Sequence, residues 1–321
     1  MALRLVMMGT GEFALPAFRQ VCDSPHEVVG LFTQPDRTGR GHHQHAHPMM
    51  AAALQLDIPV FQPQNVNTPE SLQDLRGLNA DLAVVAAYGQ ILSRELLEIP
   101  RLGAINLHAS LLPKYRGAAP IQYAILEGET ETGVCIFQIE PRLDAGPILA
   151  VVKTTIDPAE TGGDLEARLA KLAAPLCLAT VDQIEAGTAQ SILQESTKVT
   201  KAPRIKKQDG LIDWSQPGTR IERMVRAFQP WPKAYTFLEE AQGRQTLRLI
   251  LIDVQVEPDE PASAATPGTV ISAEKDHLVV QSGDGTIRIG QLQPAGKKAM
   301  SAEEFLRGHA VQSGDRFSGG S

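Results

Sequence analysis

The sequence contains few cysteines and few aromatic residues, and it has no long apolar run. Its three cysteines, Cys22, Cys135 and Cys177, are widely spaced and have no CxxC partners, which excludes a disulfide framework or a cysteine-rich metal site. No apolar run approaches the ~18 residues that cross a bilayer, so we expect no contact with a membrane. The first residues predict a β-strand rather than a signal peptide, because no cleavage site follows them. Together these absences predict a cytoplasmic protein.

Basic residues are also in deficit, since 30 Lys and Arg face 37 Asp and Glu, giving a net charge of −7. This balance argues against nucleic-acid binding over the whole surface. One segment departs from it, because it carries five cations with no acid among them: Lys198, Lys201, Arg204, Lys206 and Lys207. A basic segment on an acidic protein indicates contact with a phosphate backbone. A solvated linker is the alternative.

The length of 321 residues suits two domains. In the first part, short runs rich in Val, Ile and Leu predict buried strands at residues 3–9, 28–33, 82–88 and 104–108. Helical patterns separate them at residues 13–22, 48–55, 69–77 and 91–97. This alternation predicts a Rossmann-like α/β domain, with a mostly parallel sheet and helices on both faces. Two further strands, 134–139 and 147–156, are expected in antiparallel orientation at the sheet edge, before a long helix over about 163–185.

The pattern changes after residue 187. A helix is predicted near residues 221–227, followed by alternating strands joined by Gly and Asp turns. Ser282, Gly283, Asp284 and Gly285 form a strong hairpin signal. This pattern predicts a small OB-like β-barrel. We therefore expect an α/β domain at 1–189, a basic linker at 190–203 and a barrel domain at 204–321.

A glycine-rich turn follows the first predicted strand. Gly9, Gly11 and Ala14 match the G-x-G-x-x-[GA] pattern of dinucleotide-binding proteins. That use requires an acidic residue at the end of the second strand, where this sequence has Gln34. A nicotinamide dehydrogenase is therefore disfavoured, and we interpret the glycines as a tight strand-to-helix turn.

The residues with chemical potential are Asn106, His108 and Asp144. Asn106 and His108 are two apart on a predicted strand, so their side chains point the same way, near the end where parallel sheets bind ligands. Asp144 lies in a later loop that can reach the same crevice. A packing role for His108 is the alternative. Without a metal-ligand spacing or a nucleophile elbow nearby, the three residues favour direct acyl transfer to an amine. Asn106 and protonated His108 would stabilise the oxyanion, and Asp144 would raise the pKa of His108.

The segments around these residues resemble the 10-formyltetrahydrofolate-dependent formyltransferases. The shared motifs are Asn106-Leu107-His108, Ser110-Leu111-Leu112-Pro113 and Leu143-Asp144-Ala145-Gly146-Pro147. Other segments resemble the branch of this family that acts on aminoacylated tRNA. These are RGAAPIQ (116–122), FTQPDR (32–37), IDWS (212–215), RAFQPWP (226–232) and LQPAGKK (292–298). The resemblance covers almost the whole chain.

The resemblance implies that Asn106, His108 and Asp144 are catalytic and that Ser110, Leu111, Leu112 and Pro113 line the folate pocket. It implies 10-formyltetrahydrofolate as co-substrate, with no metal ion, and the α-amino group of methionine on initiator tRNA as acceptor. The barrel and the linker would hold the tRNA, and a monomer is expected. The alternatives are formyl transfer to another amine, such as an amino-sugar nucleotide, and a non-enzymatic nucleic-acid-binding protein.

The loop at residues 35–48 departs from the family pattern. The resemblance implies that this loop meets the acceptor end of tRNA through Arg37 and Arg40. Four histidines, at positions 42, 43, 45 and 47, replace the lysines that usually follow. They are expected to stack on bases or to contact phosphates when protonated, with metal binding as a weaker alternative.

Overall fold

The protein is described by a computed structural model at residues 2–36, 48–239, 246–257 and 265–319. The chain divides into two compact units. The first comprises residues 1–120, 131–156 and 164–204, and the second comprises 121–130, 157–163 and 205–321. The residues predicted to contact tRNA at Arg37, Arg40 and the four histidines lie outside the described residues.

The first unit is built on a seven-stranded sheet of order β3-β2-β1-β4-β5-β7-β8. Its strands are β1 (Arg4–Gly9), β2 (Glu27–Phe32), β3 (Val60–Phe61), β4 (Leu82–Ala86), β5 (Ala104–His108), β7 (Glu131–Gln138) and β8 (Ile148–Thr155). The first five pair in parallel, whereas β7 and β8 are antiparallel. The predicted mixed sheet with an antiparallel edge is confirmed.

Both faces of the central strands are buried, which requires cover on both sides. Consecutive residues of β1 and β4 have almost no exposed surface. The helices around this sheet are α1 (Leu15–Cys22), α2 (Pro48–Gln55), α3 (Pro69–Gly77), α4 (Arg94–Leu97) and α6 (Gly162–Glu185). Leu72 and Leu75 of α3 pack with Val6 and Met8 of β1 on one face.

Two helices begin later than the sequence predicted, because a nearby residue fixes the first helical position. The structure begins α4 at Arg94 instead of residue 91, because the Ser93 hydroxyl accepts a hydrogen bond from the Leu96 N–H at 3.2 Å and caps the helix. Similarly, α1 begins at Leu15 with a proline in its first turn, rather than at residue 13.

The second unit contains a nearly closed antiparallel barrel, as predicted. Its strands are β10 (Tyr235–Glu239), β11 (Thr246–Glu257), β12 (Val270–Glu274), β13 (His277–Gln281), β14 (Thr286–Pro294), β15 (Met300–Ser301) and β16 (Arg316–Ser318). Their order is β12-β13-β14-β11-β10-β16, and β15 pairs with β14. An antiparallel bridge between Thr269 and Arg316 joins the two edges. The predicted hairpin turn at residues 282–285 connects β13 and β14.

Among the described residues, three helices belong largely to this second unit: α5 (Pro120–Leu126), α7 (Gly218–Ala227) and α8 (Ala302–Gly308). Ile221 and Val225 of α7 and Phe305 of α8 enter the barrel core, where Trp214 and Phe317 also pack. The sequence pattern predicted α7 but missed α5 and α8, which have only two turns each and too little periodicity. No helix in the described ranges is long and apolar enough to span a membrane.

Residues 190–203 cluster with the first unit. Strand β9 (Lys201–Ala202) pairs in parallel with β6 (Arg116–Gly117), and Ile192 forms a bridge with Ile148. This segment is therefore fixed by main-chain hydrogen bonds to the first unit along part of its length.

Candidate active site

Asn106 and His108 lie on β5, which pairs with β4 on one side and β7 on the other. The alternation of a strand places their side chains on one face, as the sequence predicted. His108 is buried, with 5% of its surface exposed, whereas Asn106 is half-buried. The Asn106 amide makes no hydrogen bond within the part of the chain that the structure describes. It is therefore open to a ligand on this face of β5.

The two ring nitrogens of His108 have different partners. Nε2 lies 2.9 Å from the carbonyl oxygen of Tyr115. A carbonyl only accepts hydrogen bonds, so Nε2 carries the proton and donates it. Nδ1 faces a carboxylate oxygen of Asp144 at 3.8 Å. In the neutral ring, the Nδ1 lone pair is therefore the group that can take up a proton.

The pKa of His108 is lowered from its ordinary value, mainly because burial disfavours the imidazolium. The Asp144 carboxylate and the Tyr115 carbonyl oppose this shift, and Arg116 adds to it. Asp144 thus raises the pKa of His108, as expected. The net shift is nevertheless downward, so the structure favours the neutral ring over the expected imidazolium. The reason is desolvation, which the residue pattern does not reveal. The geometry and the pKa direction favour neutral His108 as a proton acceptor.

Asp144 is held close to His108 by its neighbours. Its Oδ2 atom accepts a hydrogen bond from the Gly117 N–H at 2.7 Å, and its side chain is only 12% exposed. The backbone of Asp144 has a φ of +47°, in the left-handed region that non-glycine residues rarely occupy. The sequence predicted that the loop of Asp144 can reach the same crevice, and the structure brings the Asp144 carboxylate to His108.

Gly117 is a part of the site that the sequence analysis missed. It lies on β6, has a φ of +127°, and passes close to Ala202 on β9. A Cβ atom at this position would lie 2.4 Å from the Ala202 carbonyl oxygen. Only glycine fits both constraints, so the hydrogen bond from Gly117 to Asp144 depends on this residue type.

Replacing Gly117 with alanine is expected to destabilise the first unit by at least about 2 kcal/mol, since backbone strain and a steric clash act together. Circular dichroism during urea denaturation measures this. Gly77→Ala is the matched control, because a Cβ there meets no atom within 4 Å and the φ is negative. Equal stability of the two variants would contradict the assigned role of Gly117.

A second feature missed by the sequence analysis is a contact between two loops through Gln194. Its amide nitrogen donates to the carbonyl oxygens of Asp144 and Gly146, at 2.9 and 2.7 Å. Its amide oxygen accepts from the Arg116 guanidinium. Gln194 is 50 residues from Asp144 in the sequence, and no motif links them.

The four predicted folate-pocket residues differ in exposure. Ser110 is fully buried, and its hydroxyl donates to the Lys114 carbonyl oxygen at 2.7 Å. Leu112 is buried beside Cys135 and Phe137. Leu111 and Pro113 are half-buried. The first two residues therefore shape the loop after β5, and the other two have surface available for a ligand.

The five predicted cations are all exposed, but they do not belong to one unit. Lys198, Lys201 and Arg204 lie in the first unit, whereas Lys206 and Lys207 lie in the second. Lys198 forms an ion pair with Glu195 at 2.8 Å. Lys201 on β9 is adjacent in sequence to Ala202, which contacts the Gly117 region. The basic segment is thus partly attached to the strand pair that supports Asp144.

The glycine-rich turn after β1 is tightly packed, which agrees with its structural interpretation. A Cβ at Gly9 would lie 2.7 Å from the Ala86 carbonyl oxygen. Gln34, at the position of the acid expected for dinucleotide binding, donates to the Tyr88 carbonyl oxygen at 2.8 Å. Within the described ranges, no group of three His, Cys, Asp or Glu residues is placed to hold a metal ion.

The sequence matches two protein-family models. A family model described as formyl transferase matches residues 3–181, which include β5 and the Asp144 loop. The chain belongs to the formyl transferase family. A second model, for the C-terminal domain of formyl transferases, matches residues 204–310 and so covers most of the barrel.

The chain is similar along its full length to curated members of this family. It is 46% identical to the methionyl-tRNA formyltransferase of Magnetococcus marinus, over 99% of both chains. It is 43% identical to that of Symbiobacterium thermophilum, over 98% of this chain and 95% of the relative.

Solved structures share the fold at lower identity. One is the N-formyltransferase of Helicobacter canadensis, in complex with folinic acid and dTDP-3-aminofucose. It has a TM-score of 0.65 and 17% identity, and the match covers 89% of this chain and 98% of the other. The HypX protein of Aquifex aeolicus, in complex with tetrahydrofolic acid, has a TM-score of 0.59 and 15% identity. This match covers 95% of the present chain and 47% of HypX.

Proposed function

We propose that the protein transfers the formyl group of 10-formyltetrahydrofolate to the α-amino group of methionine on initiator tRNA, giving N-formylmethionyl-tRNA. The observation that carries this proposal is the His108–Asp144 pair on the same face of β5 as the Asn106 amide, which has no hydrogen-bond partner among the described residues. The chain is also similar to methionyl-tRNA formyltransferases over its full length. The folate supplies the formyl carbon as a co-substrate. All three catalytic side chains are neutral or anionic, which suits attack by a neutral amine.

The positions of the side chains define their proposed roles. The Asn106 amide donates a hydrogen bond to the formyl oxygen as negative charge develops on it. Nδ1 of His108 takes the proton that the attacking amine loses, because Nε2 is already committed to Tyr115. Asp144 then stabilises the imidazolium at Nδ1. His108 returns the proton to the leaving nitrogen, so the protein ends in its starting state.

The direct test is formylation in vitro. The purified protein is incubated with 10-formyltetrahydrofolate and methionyl initiator tRNA, and the product is analysed for formylmethionine. Parallel reactions contain an amino-sugar nucleotide in place of tRNA. Formylmethionine is expected only with tRNA. Formylation of the sugar alone would replace the proposal with the alternative acceptor, which at present rests on fold likeness at 17% identity. No transfer to either acceptor would contradict both.

We also propose that the exposed cations of the basic segment contact tRNA phosphates, with Arg37 and Arg40 as further contacts. Lys201→Ala is expected to reduce the slope of log affinity against log salt concentration by about 1, since one counterion release is lost. Filter binding at several salt concentrations measures this slope. Lys171→Ala, an exposed lysine on α6, is the control. An unchanged slope for Lys201→Ala would remove Lys201 from the interface.

We infer domain limits of 1–189 and 204–321, joined by residues 190–203, and a monomer that acts in the cytoplasm. The three cysteines support a reducing environment, because all are free and are buried or half-buried. Sedimentation equilibrium tests the monomer, and a dimer at micromolar concentration would contradict it.

A further inference from the structure

Gln194 uses its whole side-chain amide to connect two loops of the active site. Its Nε2 atom donates to the carbonyl oxygens of Asp144, at 2.9 Å, and Gly146, at 2.7 Å. Its Oε1 atom accepts from Nε and Nη2 of Arg116, at 3.1 and 2.7 Å. Both amide hydrogens and both lone pairs are therefore engaged.

This bonding pattern requires glutamine. A glutamate at position 194 could accept from Arg116, but it would place a carboxylate against two carbonyl oxygens. A methionine has a similar size and makes none of the four hydrogen bonds. The side chain is half-buried, so lost partners are only partly replaced by water.

The contacts converge on Asp144 from two directions. Gln194 binds the main chain of Asp144 directly, and it also binds the side chain of Arg116, the neighbour of Gly117. Gly117 in turn donates to the Asp144 carboxylate at 2.7 Å. Because Asp144 has a left-handed backbone conformation, its loop depends on such external contacts to keep the carboxylate beside His108.

Gln194 also occupies two donors of the Arg116 guanidinium. Arg116 interacts electrostatically with both Asp144 and His108. A guanidinium released from Gln194 could form a direct pair with the Asp144 carboxylate and draw it away from Nδ1 of His108. The amide thus favours the arrangement in which Asp144 serves His108.

We propose that Gln194 is a positioning residue for the formyl-transfer reaction, acting by holding the Asp144 loop and the Arg116 side chain in place. This inference rests on the proposed function for its kinetic test. Gln194 is not expected to touch either substrate.

The first experiment compares Gln194→Met with wild type in steady-state formylation. We expect kcat to fall by about 10- to 100-fold, since a small displacement of a catalytic group has effects of this size. The KM for tRNA should stay within about threefold of wild type, because binding groups are unchanged. Gln190→Met is the matched control: Gln190 is exposed in the same segment and should tolerate the change. Gln194→Glu should lose at least as much kcat as Gln194→Met.

A double mutant separates positioning from a general structural effect. If Gln194 acts through Asp144, adding Gln194→Met to Asp144→Asn should lower kcat little further than Asp144→Asn alone. Multiplicative losses would overturn the proposal, as would a KM increase that accounts for the whole defect. Thermal unfolding of each variant verifies that it is folded at the temperature of the kinetic assay.

A third measurement does not depend on formylation. NMR titration of His108 in isotope-labelled protein reports its environment without any substrate. In Gln194→Met, we expect the pKa of His108 to fall, because the Asp144 carboxylate, which raises this pKa, is no longer held beside Nδ1. The groups facing the ring are Asp144, Arg116, the Tyr115 carbonyl and the Phe137 ring. An unchanged titration relative to Gln190→Met would overturn the positioning role, whereas an inactive wild type would overturn only the proposed function.

Discussion

Replacement of His108 by glutamine is expected to lower kcat by about 10²- to 10⁴-fold, the range found when a general base is removed. Glutamine can still donate a hydrogen bond near Tyr115, but it offers no nitrogen that accepts a proton from the amine. The KM for tRNA should change little, because the ring is buried and lies against Tyr115 and Asp144. Single-turnover formylation at saturating substrates measures the chemical step.

His277→Gln is the matched control for this experiment, since His277 is an exposed residue of β13. It should retain wild-type kcat. A His108→Gln variant with wild-type kcat would show that His108 has only a packing role, the alternative that the sequence left open.

The same assignment fixes the direction of the pH dependence. A base must be unprotonated, so kcat should rise with pH through the pKa of His108 and then level off. Burial lowers this pKa, and the rise should therefore lie below about pH 6.5, the ordinary value for histidine. In Asp144→Asn, loss of the carboxylate should move the rise to still lower pH. A rise of kcat above pH 6.5 would instead indicate that the pKa of His108 is raised in the folded protein.

Replacement of Asn106 by alanine is expected to lower kcat by about 10²- to 10³-fold, because one oxyanion donor is lost. The Asn106 amide has no hydrogen-bond partner in the described structure, so its removal leaves no buried group unpaired. The effect should therefore appear in catalysis and not in stability. Single-turnover formylation and thermal unfolding of the same preparation separate the two.

Asn106→Asp provides the more demanding comparison. The two side chains have nearly the same shape, but an ionised aspartate places negative charge where the formyl oxygen gains it. Its kcat should be lower than that of Asn106→Ala at neutral pH. If Asn106→Asp were as active as wild type, Asn106 would not be the donor to the oxyanion.

Local patterns predicted much of the fold. The bounds of β5, α2 and α3 agree with the sequence prediction, because apolar strands and amphipathic helices have strong periodicities of their own. The short elements β3, β6 and β9 were missed. Each has two residues, and β6 and β9 exist only because they pair with one another. Their sequences contain no signal of that pairing.

For the site too, the sequence predicted the local features and missed the contacts between distant segments. The spacing of Asn106 and His108 placed them on one face, since alternation along a strand is a local property. The approach of Asp144 to Nδ1, the donor from Gly117 and the contacts of Gln194 all join residues far apart in the chain. The sequence predicted a raised pKa for His108, whereas the structure lowers it. The sequence shows the neighbouring Asp144 charge but not the burial of the ring, which is the larger effect.

The sequence by itself determined the α/β and barrel classes and singled out the candidate residues Asn106, His108 and Asp144. It also predicted two domains without a disulfide framework. These follow from composition, periodicity and motif, which depend on residues close together in the chain. Only the tertiary structure decided which His108 nitrogen is available, and how Asp144 is held beside it. It also showed that Gln194 and β9, both within the predicted linker at 190–203, contact the segments that hold Asp144 in the candidate active site. Such properties depend on desolvation and on hydrogen bonds between distant segments, and these arise only when the chain folds.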